Sequence, residues 1–183
     1  MPKTEIKIGD LLSPYAVTKR ANELYADVFY KTYGLEVIGL RYFNVFGPKQ
    51  NINGPYAAVI PLFINELLSK RSPKIFGDGS ATRDFTFIEN VIQANLLAAF
   101  TENKDAINQV YNIAYGGTTS LNELFERISK ILNSEISPEY HDERKGDIKN
   151  SFADISKAKI LLNYKPEVNI QDGLKIMVEC YTS

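Results

Sequence analysis

Apolar residues near the start of the chain recur at helical spacing, at Val17, Ala21, Leu24 and Val28. This spacing predicts a helix from about Pro14 to Tyr33, with Ser13 in position to cap it and Gly34 in position to end it. Proline suits the first position of a helix, where its missing N–H costs nothing. The next stretch, Val37 to Tyr42, is mostly apolar on both faces, which predicts a strand buried within a sheet.

The same pattern divides the rest of the chain into shorter elements. Further helices are predicted at about Ala58 to Lys70, Glu89 to Thr101, Ser156 to Asn163 and Gln171 to Thr182. Shorter strands are predicted at Lys74 to Phe76, Val110 to Ala114 and, weakly, Ser137 to Tyr140, with loops at Asn44 to Pro48 and Gln50 to Tyr56. Ser120 and Glu123 have the spacing of a capping box, and the helix they begin carries apolar residues on one side. Helices mixed with three or four strands predict an α/β fold.

Composition narrows the classes of partner. The 183 residues carry 21 Lys and Arg against 22 Asp and Glu, a balance that argues against nucleic acid or a membrane surface as the main partner. No stretch reaches the ~20 apolar residues that span a bilayer, and the polar start is unlike a signal peptide. The single cysteine, Cys180, excludes a disulfide within the chain. We therefore expect a cytoplasmic protein.

Cys180 and His141 are the only cysteine and the only histidine. A catalytic thiol needs a base, but neither residue lies in a nucleophile motif. A lone cysteine in an apolar terminal helix is more often core filler, and we expect this role for Cys180.

Tyr15 and Lys19 form the first candidate for chemistry. Four residues apart, they share one face of the predicted helix. An ammonium near a phenol favours the phenolate, so the pair has the composition of a general base and its tuning group. In a chain with 11 tyrosines the spacing alone is more typical of a solvated helix face.

The context of this pair carries a family resemblance. The sequence reads Ser13-Pro14-Tyr15-Ala16-Val17-Thr18-Lys19, then a helix, then a strand that ends Leu40-Arg41-Tyr42-Phe43-Asn44-Val45-Phe46-Gly47-Pro48. Similar segments continue at 57–61, 77–79, 82–85, 111–114 and 144–147. The chain thus resembles the extended short-chain dehydrogenases/reductases, and most of all the UDP-sugar 4-epimerases, including those that act on UDP-N-acetylglucosamine.

The resemblance implies a fold and a division of the chain. The fold is α/β, a C-terminal remnant of an NAD-binding Rossmann domain plus the small α/β nucleotide-sugar-binding domain. Residues 1–56 are expected to belong to the first domain, with 84–118 returning to it, and residues 57–183 to the second. The strand at Val37 to Tyr42 is then expected to lack its sheet neighbours.

The resemblance also implies roles at the reacting carbon. The residue that matches Tyr15 takes the proton of the C4 hydroxyl, and hydride passes from C4 to NAD and returns to the other face of the keto sugar. Lys19 matches the lysine that binds the nicotinamide ribose. The backbone of Tyr42 matches a position beside the nicotinamide. The side chains of this strand need only be those of a buried strand.

A further set of residues matches positions that bind the UDP-sugar. Asn44 matches a residue on the diphosphate side, and the backbone of Ala58 and Val59 matches contacts to uracil. Arg83 and Arg144 match the arginines that clamp the diphosphate, as planar guanidiniums suit. Asp147 matches the acid that binds the uridine ribose, although alone Arg144 and Asp147 are typical of a surface ion pair. Ser151 matches a position lining the sugar pocket, where a small residue leaves room for an N-acetyl group.

The glycine-rich cradle for the NAD pyrophosphate has no counterpart in these 183 residues. Gly77-Asp78-Gly79-Ser80-Ala81-Thr82 has threonine at the third glycine position, so we interpret it as a turn of the substrate domain. We therefore expect no epimerase activity from the chain alone, and a homo-oligomer or a separate N-terminal half as its partner. Two alternatives remain open: a non-catalytic UDP-sugar-binding or interaction protein, and a nucleotide-sugar 4,6-dehydratase or decarboxylase.

Overall fold

The computed structural model describes residues 2–7, 9, 11, 13–51, 58–144 and 149–182. Helix α1 spans Pro14–Tyr33, as predicted. The hydroxyl of Ser13 accepts from the Ala16 N–H at 3.2 Å, and Gly34 ends the helix in the left-handed conformation with φ of 68°. Both helix signals in the sequence therefore act as expected.

The other elements follow α1 in a mixed order. They are β1 (Ile38–Tyr42), β2 (Val45–Phe46), α2 (Val59–Leu68), β3 (Lys74–Phe76), β4 (Thr82–Arg83), β5 (Thr86–Phe87), α3 (Ile88–Ala99), β6 (Gln109–Ile113), β7 (Thr119–Ser120), α4 (Leu121–Leu132), β8 (Glu139–His141), α5 (Ser156–Leu161) and α6 (Ile170–Thr182), with a 3-10 turn at Lys104–Ala106. The α/β class is confirmed. None of the described helices combines the length and the apolar composition that crossing a membrane requires.

The strands are more numerous and shorter than predicted. Four two-residue strands, β2, β4, β5 and β7, escape the sequence pattern because two residues show no periodicity. In the described part of the chain, the strands form four two-stranded sheets: β1–β6, β2–β5, β3–β8 and β4–β7. The predicted loop at Asn44 to Pro48 therefore contains a strand, since Val45 pairs with Thr86 and Phe46 with Phe87.

Strand β1 is not without a neighbour, which corrects our expectation. It pairs in parallel with β6, from Ile38 opposite Gln109 to Tyr42 opposite Ile113. Ile38 and Leu40 pack towards α3, whereas Arg41 on the other face binds α1. The two strands therefore lie between two helices, the arrangement of a parallel α/β sheet.

The two edges of this sheet differ. At β6, the carboxylate of Glu5 accepts from the Asn112 N–H at 2.9 Å, and the ammonium of Lys157 donates to the Val110 carbonyl at 3.0 Å. Side chains thus satisfy backbone groups of this edge. Among the described residues, no strand pairs with the other edge of β1. An unpaired edge is a site where a further strand can add.

The described residues form two apolar cores, one around α3 and β6 and a second under α2, α4 and α6. The buried residues of the second core include Phe63 and Phe125, whose rings meet edge-on at 6.1 Å. In the first turn of α6, a Cβ at Gly173 would lie 2.7 Å from the Phe87 ring and 2.8 Å from the Phe46 ring. This close approach explains a glycine in a helix, where it otherwise costs about 1 kcal/mol.

Cys180 is exposed, so our prediction of core filler is wrong. The buried residues of α6 are Gly173, Leu174, Met177 and Val178. Tyr181 in the last turn still packs against the core, so Cys180 lies to the side of the buried face. The prediction failed because it rested on the residue type of Cys180 and not on the side of the helix where Cys180 lies.

Candidate functional site

A cavity of about 1090 Å³ opens between four parts of the chain. They are the link from β1 to β2, the helix α2, the turn that follows β3, and the strand β4. Of the nine predicted site residues with described positions, five line it: Asn44, Ala58, Val59, Arg83 and Arg144. These residues come from separate parts of the sequence. Their convergence on one concave surface is the main structural feature of the site.

Asn44 lies at the carboxyl end of β1, where ligands bind in open α/β sheets. Its φ of 35° is unusual for a residue with a side chain. Its amide donates to the Asp84 carbonyl at 3.3 Å, a bond that ties β1 to the β4–β5 segment. Backbone strain of this kind concentrates at functional sites.

Ala58 and Val59 form the start of α2. No described side chain caps this end, so the first N–H groups of the helix are left without such a partner. The side chains are small and apolar, and the backbone is the group that this wall can offer to a ligand.

Two guanidiniums supply positive charge to the cavity. Arg83 is half-buried and donates to the carbonyls of Thr82 at 2.8 Å and Lys149 at 3.4 Å. Arg144 is exposed and stacks on the ring of Phe76, with its central carbon 3.6 Å from the ring centroid. Among the residues with described positions, no carboxylate forms an ion pair with either arginine. Two such cations suit a dianionic ligand such as a diphosphate.

Sequence reasoning missed Phe76 and the anchoring of the turn that follows it. Asp78 accepts from the N–H of Ser80 at 2.9 Å and from its hydroxyl at 2.6 Å, bonds that lower the pKa of Asp78. The amide of Asn122 donates to the Asp78 carbonyl at 3.0 Å, and the Tyr140 hydroxyl donates to Asn122. The signal for Phe76 was its place as the last residue of a predicted strand.

Ser151 is the predicted substrate-binding residue that the structure places away from the cavity wall. Ser151 is buried, and it is not among the residues that line the cavity. Its N–H donates to the Thr82 carbonyl at 3.0 Å, so it lies behind β4. Asp147 lies outside the described residues.

The remaining three predicted residues lie apart from the cavity lining. Tyr15 and Lys19 share one face of α1 as predicted, and the ammonium lies 5.3 Å from the centroid of the phenol ring. The side chain of Tyr42 is exposed, and its hydroxyl donates to Asn95 at 3.0 Å. The structure thus forms two groups of candidate residues, one around the cavity and one on and beside α1.

No metal centre is found in the described ranges, where three or more His, Cys, Asp or Glu side chains nowhere group to hold an ion. Residues 3–114, more than half of the chain, match the NAD dependent epimerase/dehydratase family.

The chain belongs to the NAD-dependent epimerase/dehydratase family.

Named relatives agree with this family. A putative UDP-glucose 4-epimerase of Methanocaldococcus jannaschii is 39% identical over 167 residues, which cover 91% of this chain and 52% of that protein. The family match is not limited to epimerases, because a UDP-N-acetyl-alpha-D-glucosaminuronate decarboxylase of Bacillus cytotoxicus is 30% identical over 91% of this chain. The chain spans about half the length of the curated relatives it matches.

Solved structures in the family have the same fold. The UDP-N-acetylglucosamine 4-epimerase of Methanobrevibacter ruminantium, in complex with UDP-N-acetylmuramic acid, matches with a TM-score of 0.93 and 44% identity. This chain is covered completely, against 57% of that one. The UDP-glucuronic acid 4-epimerase of Bacillus cereus, in complex with UDP-glucuronic acid and NAD, matches with a TM-score of 0.90 and 32% identity, over 100% of this chain and 56% of that one.

Proposed function

We propose that this chain is the UDP-sugar-binding part of a nucleotide-sugar 4-epimerase. The observation that carries the proposal is the convergence of Asn44, Ala58, Val59, Arg83 and Arg144 on one cavity. The substrate class is a UDP-hexose or a UDP-N-acetylhexosamine, and Ser151, which does not line this cavity, does not decide between them.

Each group has a role that its chemistry suits. Arg83 and Arg144 bind the diphosphate, because planar guanidiniums donate two bonds to phosphate oxygens. Asn44 binds on the diphosphate side, and the backbone at Ala58 and Val59 binds uracil. Asp147 accepts from the ribose hydroxyls.

Tyr15 is the proposed proton acceptor and donor at C4, and Lys19 and the backbone of Tyr42 would hold the nicotinamide end of NAD. When bound, NAD supplies the hydride acceptor and donor. The fit is partial, since the residues on α1 suit the nicotinamide ribose but no glycine-rich turn is present for the pyrophosphate. We therefore propose that these residues position a sugar and move its proton only when another polypeptide segment completes the cofactor site.

Nucleotide binding tests the proposal directly. Isothermal titration of the purified chain with UDP-glucose and with UDP-N-acetylglucosamine should give saturable binding. Arg83→Ala and Arg144→Ala should each weaken it by about 10- to 100-fold, because each removes charge-assisted bonds. Arg127→Ala is the matched control, since Arg127 lies on α4 and donates to Gln171. Equal affinities of the wild type and the three variants would show that Arg83 and Arg144 do not bind the diphosphate.

A second candidate function is a UDP-sugar-binding protein without catalysis. The observation that favours it is that Tyr15 and Lys19 lie outside the cavity lining. The two functions differ in their cofactor. When a relative's N-terminal half is added, NAD binding and turnover are expected for the epimerase part and not for the binding protein. The chain alone should show neither tight NAD binding nor turnover under either function. Turnover of a UDP-sugar by the chain alone would contradict this expectation.

The outer surface of α1 and the open edge of β1 suit a protein partner. Large apolar residues exposed on α1 include Leu24, Tyr25, Val28 and Phe29. Apolar surface on this scale marks an interaction site. We propose that residues 1–56 and 84–118 form the lobe that meets a second copy or a separate N-terminal half, while residues 57–183 otherwise form the sugar lobe.

Sedimentation equilibrium tests this partner proposal. At micromolar concentration the chain alone is expected to self-associate, or to associate when a relative's N-terminal half is added. Replacing Leu24 and Val28 with glutamate should weaken the association, because charge would then be buried. A compact monomer that binds neither partner would rule the surface out.

A further inference from the structure

Asp84 is a buried acid that joins two segments of the chain. Its residue exposure is 0%. One carboxylate oxygen accepts from the Gly116 N–H at 3.2 Å, and the other accepts from the Ala153 N–H at 3.3 Å. The backbone N–H groups of Tyr115 and Gly117 also interact with this carboxylate and lower its pKa. A single carboxylate therefore holds the 115–117 turn and the 151–153 segment against β4.

The same residue connects three of the candidate ligand residues. Its carbonyl accepts from the side-chain amide of Asn44, and Arg83 directly precedes it. Ser151 is two residues before Ala153, and its own N–H donates to the carbonyl of Thr82. Asp84 itself is not among the residues that line the cavity, so it acts on the site from behind the wall.

The charged and titratable neighbours of Asp84 do not neutralise it. The Arg83 guanidinium is directed to the carbonyls of Thr82 and Lys149. The hydroxyl of Tyr164 donates to the Ala114 carbonyl at 2.9 Å, and its pKa is raised by its own burial and then by Asp84. Tyr115 interacts with Asp84 through its backbone N–H and not through its phenol. Burial without an ion pair raises the pKa of Asp84 to about 6, although the backbone N–H groups act in the opposite direction.

We propose that Asp84 is a positioning residue of the candidate site, which holds Asn44, Arg83 and Ser151 in the binding arrangement when ionised and loosens them when protonated. The proposal rests on the proposed UDP-sugar site. Its physical basis is that an ionised carboxylate only accepts, whereas the protonated group has an O–H donor. Protonation of either oxygen points a donor at a backbone N–H, and one of the two segments loses its bond.

Ionisation of Asp84 is expected to change the free energy of unfolding and the ligand affinity in opposite directions. The pKa of Asp84 is near 6 in the folded chain and about 3.9 for an unperturbed aspartate. Between these pH values the folded chain binds more protons, so this group's contribution to the free energy of unfolding falls as the pH rises from about 4 to about 6. Ligand affinity should instead rise over the same range, because only the ionised form holds the site together.

The experiment is a pH series of UDP-glucose titrations from pH 5 to pH 8. UDP-glucose is the probe because its esterified diphosphate has no proton that titrates near neutral pH. If only the ionised form binds, affinity at pH 5 should be about tenfold weaker than at pH 7. Asp84→Asn, which cannot ionise, should bind weakly with an affinity that does not change with pH.

His141 provides the matched control. Histidine is the other side chain that changes charge near neutral pH, and the ring of His141 lies 5.7 Å from that of Phe76 at the cavity. His141→Gln should leave the pH dependence in place. If it abolishes the pH dependence, or if wild-type affinity is constant from pH 5 to pH 8, the proposal is overturned.

Amide hydrogen exchange in the ligand-free chain tests the role of Asp84 without any nucleotide. The Gly116 and Ala153 amides should lose protection as the pH falls through about 6, after correction for the intrinsic exchange rate. Unchanged protection would overturn the role of Asp84 even if UDP-glucose binds. Absence of UDP-glucose binding at every pH would instead count against the proposed function, and the exchange data would still decide whether Asp84 holds the two segments.

Discussion

Replacing Ile128 with alanine is expected to lower the free energy of unfolding by about 3 kcal/mol. Ile128 is fully buried at the centre of α4, in the cluster that α4 shares with α2 and α6. The loss has two sources, the apolar surface that alanine no longer buries and the cavity that its neighbours cannot fill. Urea denaturation at one fixed protein concentration measures the change.

The matched control for this substitution is Ile160→Ala in α5. Ile160 is also an isoleucine in a helix, but 73% of its surface is exposed. Its removal creates no cavity, and alanine has the higher helix propensity, so stability should change by less than about 0.5 kcal/mol. Similar losses for both variants would mean that α4 does not pack as described.

The contrast between α1 and the short strands explains what the sequence could predict. The bounds of α1 were predictable because a capping serine, a proline at the first position and a terminating glycine all lie within the helix or next to its ends. Strands β4 and β7 have two residues each, and they exist only because Thr82 meets Ser120 and Arg83 meets Thr119. A pairing between residues far apart in sequence leaves no local pattern to find.

The candidate site was predictable residue by residue but not in its arrangement. The resemblance supplied Arg83 and Arg144, and both line the cavity. It gave no reason to expect Arg144 to lie on the ring of Phe76. Asp84 was hidden for a different reason: an aspartate in a polar stretch is typical of a surface charge, since this residue type is almost never fully buried. Only its position among backbone N–H groups reveals the role.

The two groups of candidate residues differ in how they are held. Of the cavity residues, Val59 lies on α2 and Arg83 on β4, and the other three lie in segments that connect such elements. Helix α2 packs over a continuous apolar core. Helix α1 contains no fully buried residue, so polar contacts carry much of its attachment. The amide of Asn108 donates to Asp27 at 3.3 Å, and Arg41 of β1 binds Glu23. The position of Tyr15 relative to the sheet therefore depends on a small number of charged groups.

Glu23 is the centre of this attachment. Its two oxygens accept from Arg41 at 2.5 and 2.8 Å, and one of them also accepts from Arg20 at 2.7 Å. Arg41 in turn donates to the Glu5 carbonyl at 3.1 Å. The hydrogen bond from Arg41 is the main reason that the pKa of Glu23 lies below its ordinary value. The Glu23 side chain is 16% exposed, so solvent screens the pair less than a surface pair.

Glu23→Gln is expected to lower the free energy of unfolding by about 2 kcal/mol at pH 7, because it leaves the half-buried Arg41 with a neutral partner. A glutamate with a lowered pKa stabilises the fold above its ordinary pKa of about 4.3, and this contribution is lost as the pH falls through the lowered value. The difference between wild type and Glu23→Gln should thus shrink in acid. Urea denaturation at pH 7 and at pH 3 measures both effects.

Glu66→Gln is the matched control, since Glu66 binds Arg71 with two bonds of 2.6 and 3.1 Å in a more exposed setting. An exposed pair contributes about 0–1 kcal/mol, so this variant should lose little stability. Equal losses at the two sites would show that the geometry of the ion pair, and not its burial, decides its strength. A negligible loss at Glu23 would mean that α1 stays in place without Arg41, and the apolar contacts of the helix would then have to hold Tyr15 and Lys19 beside the sheet.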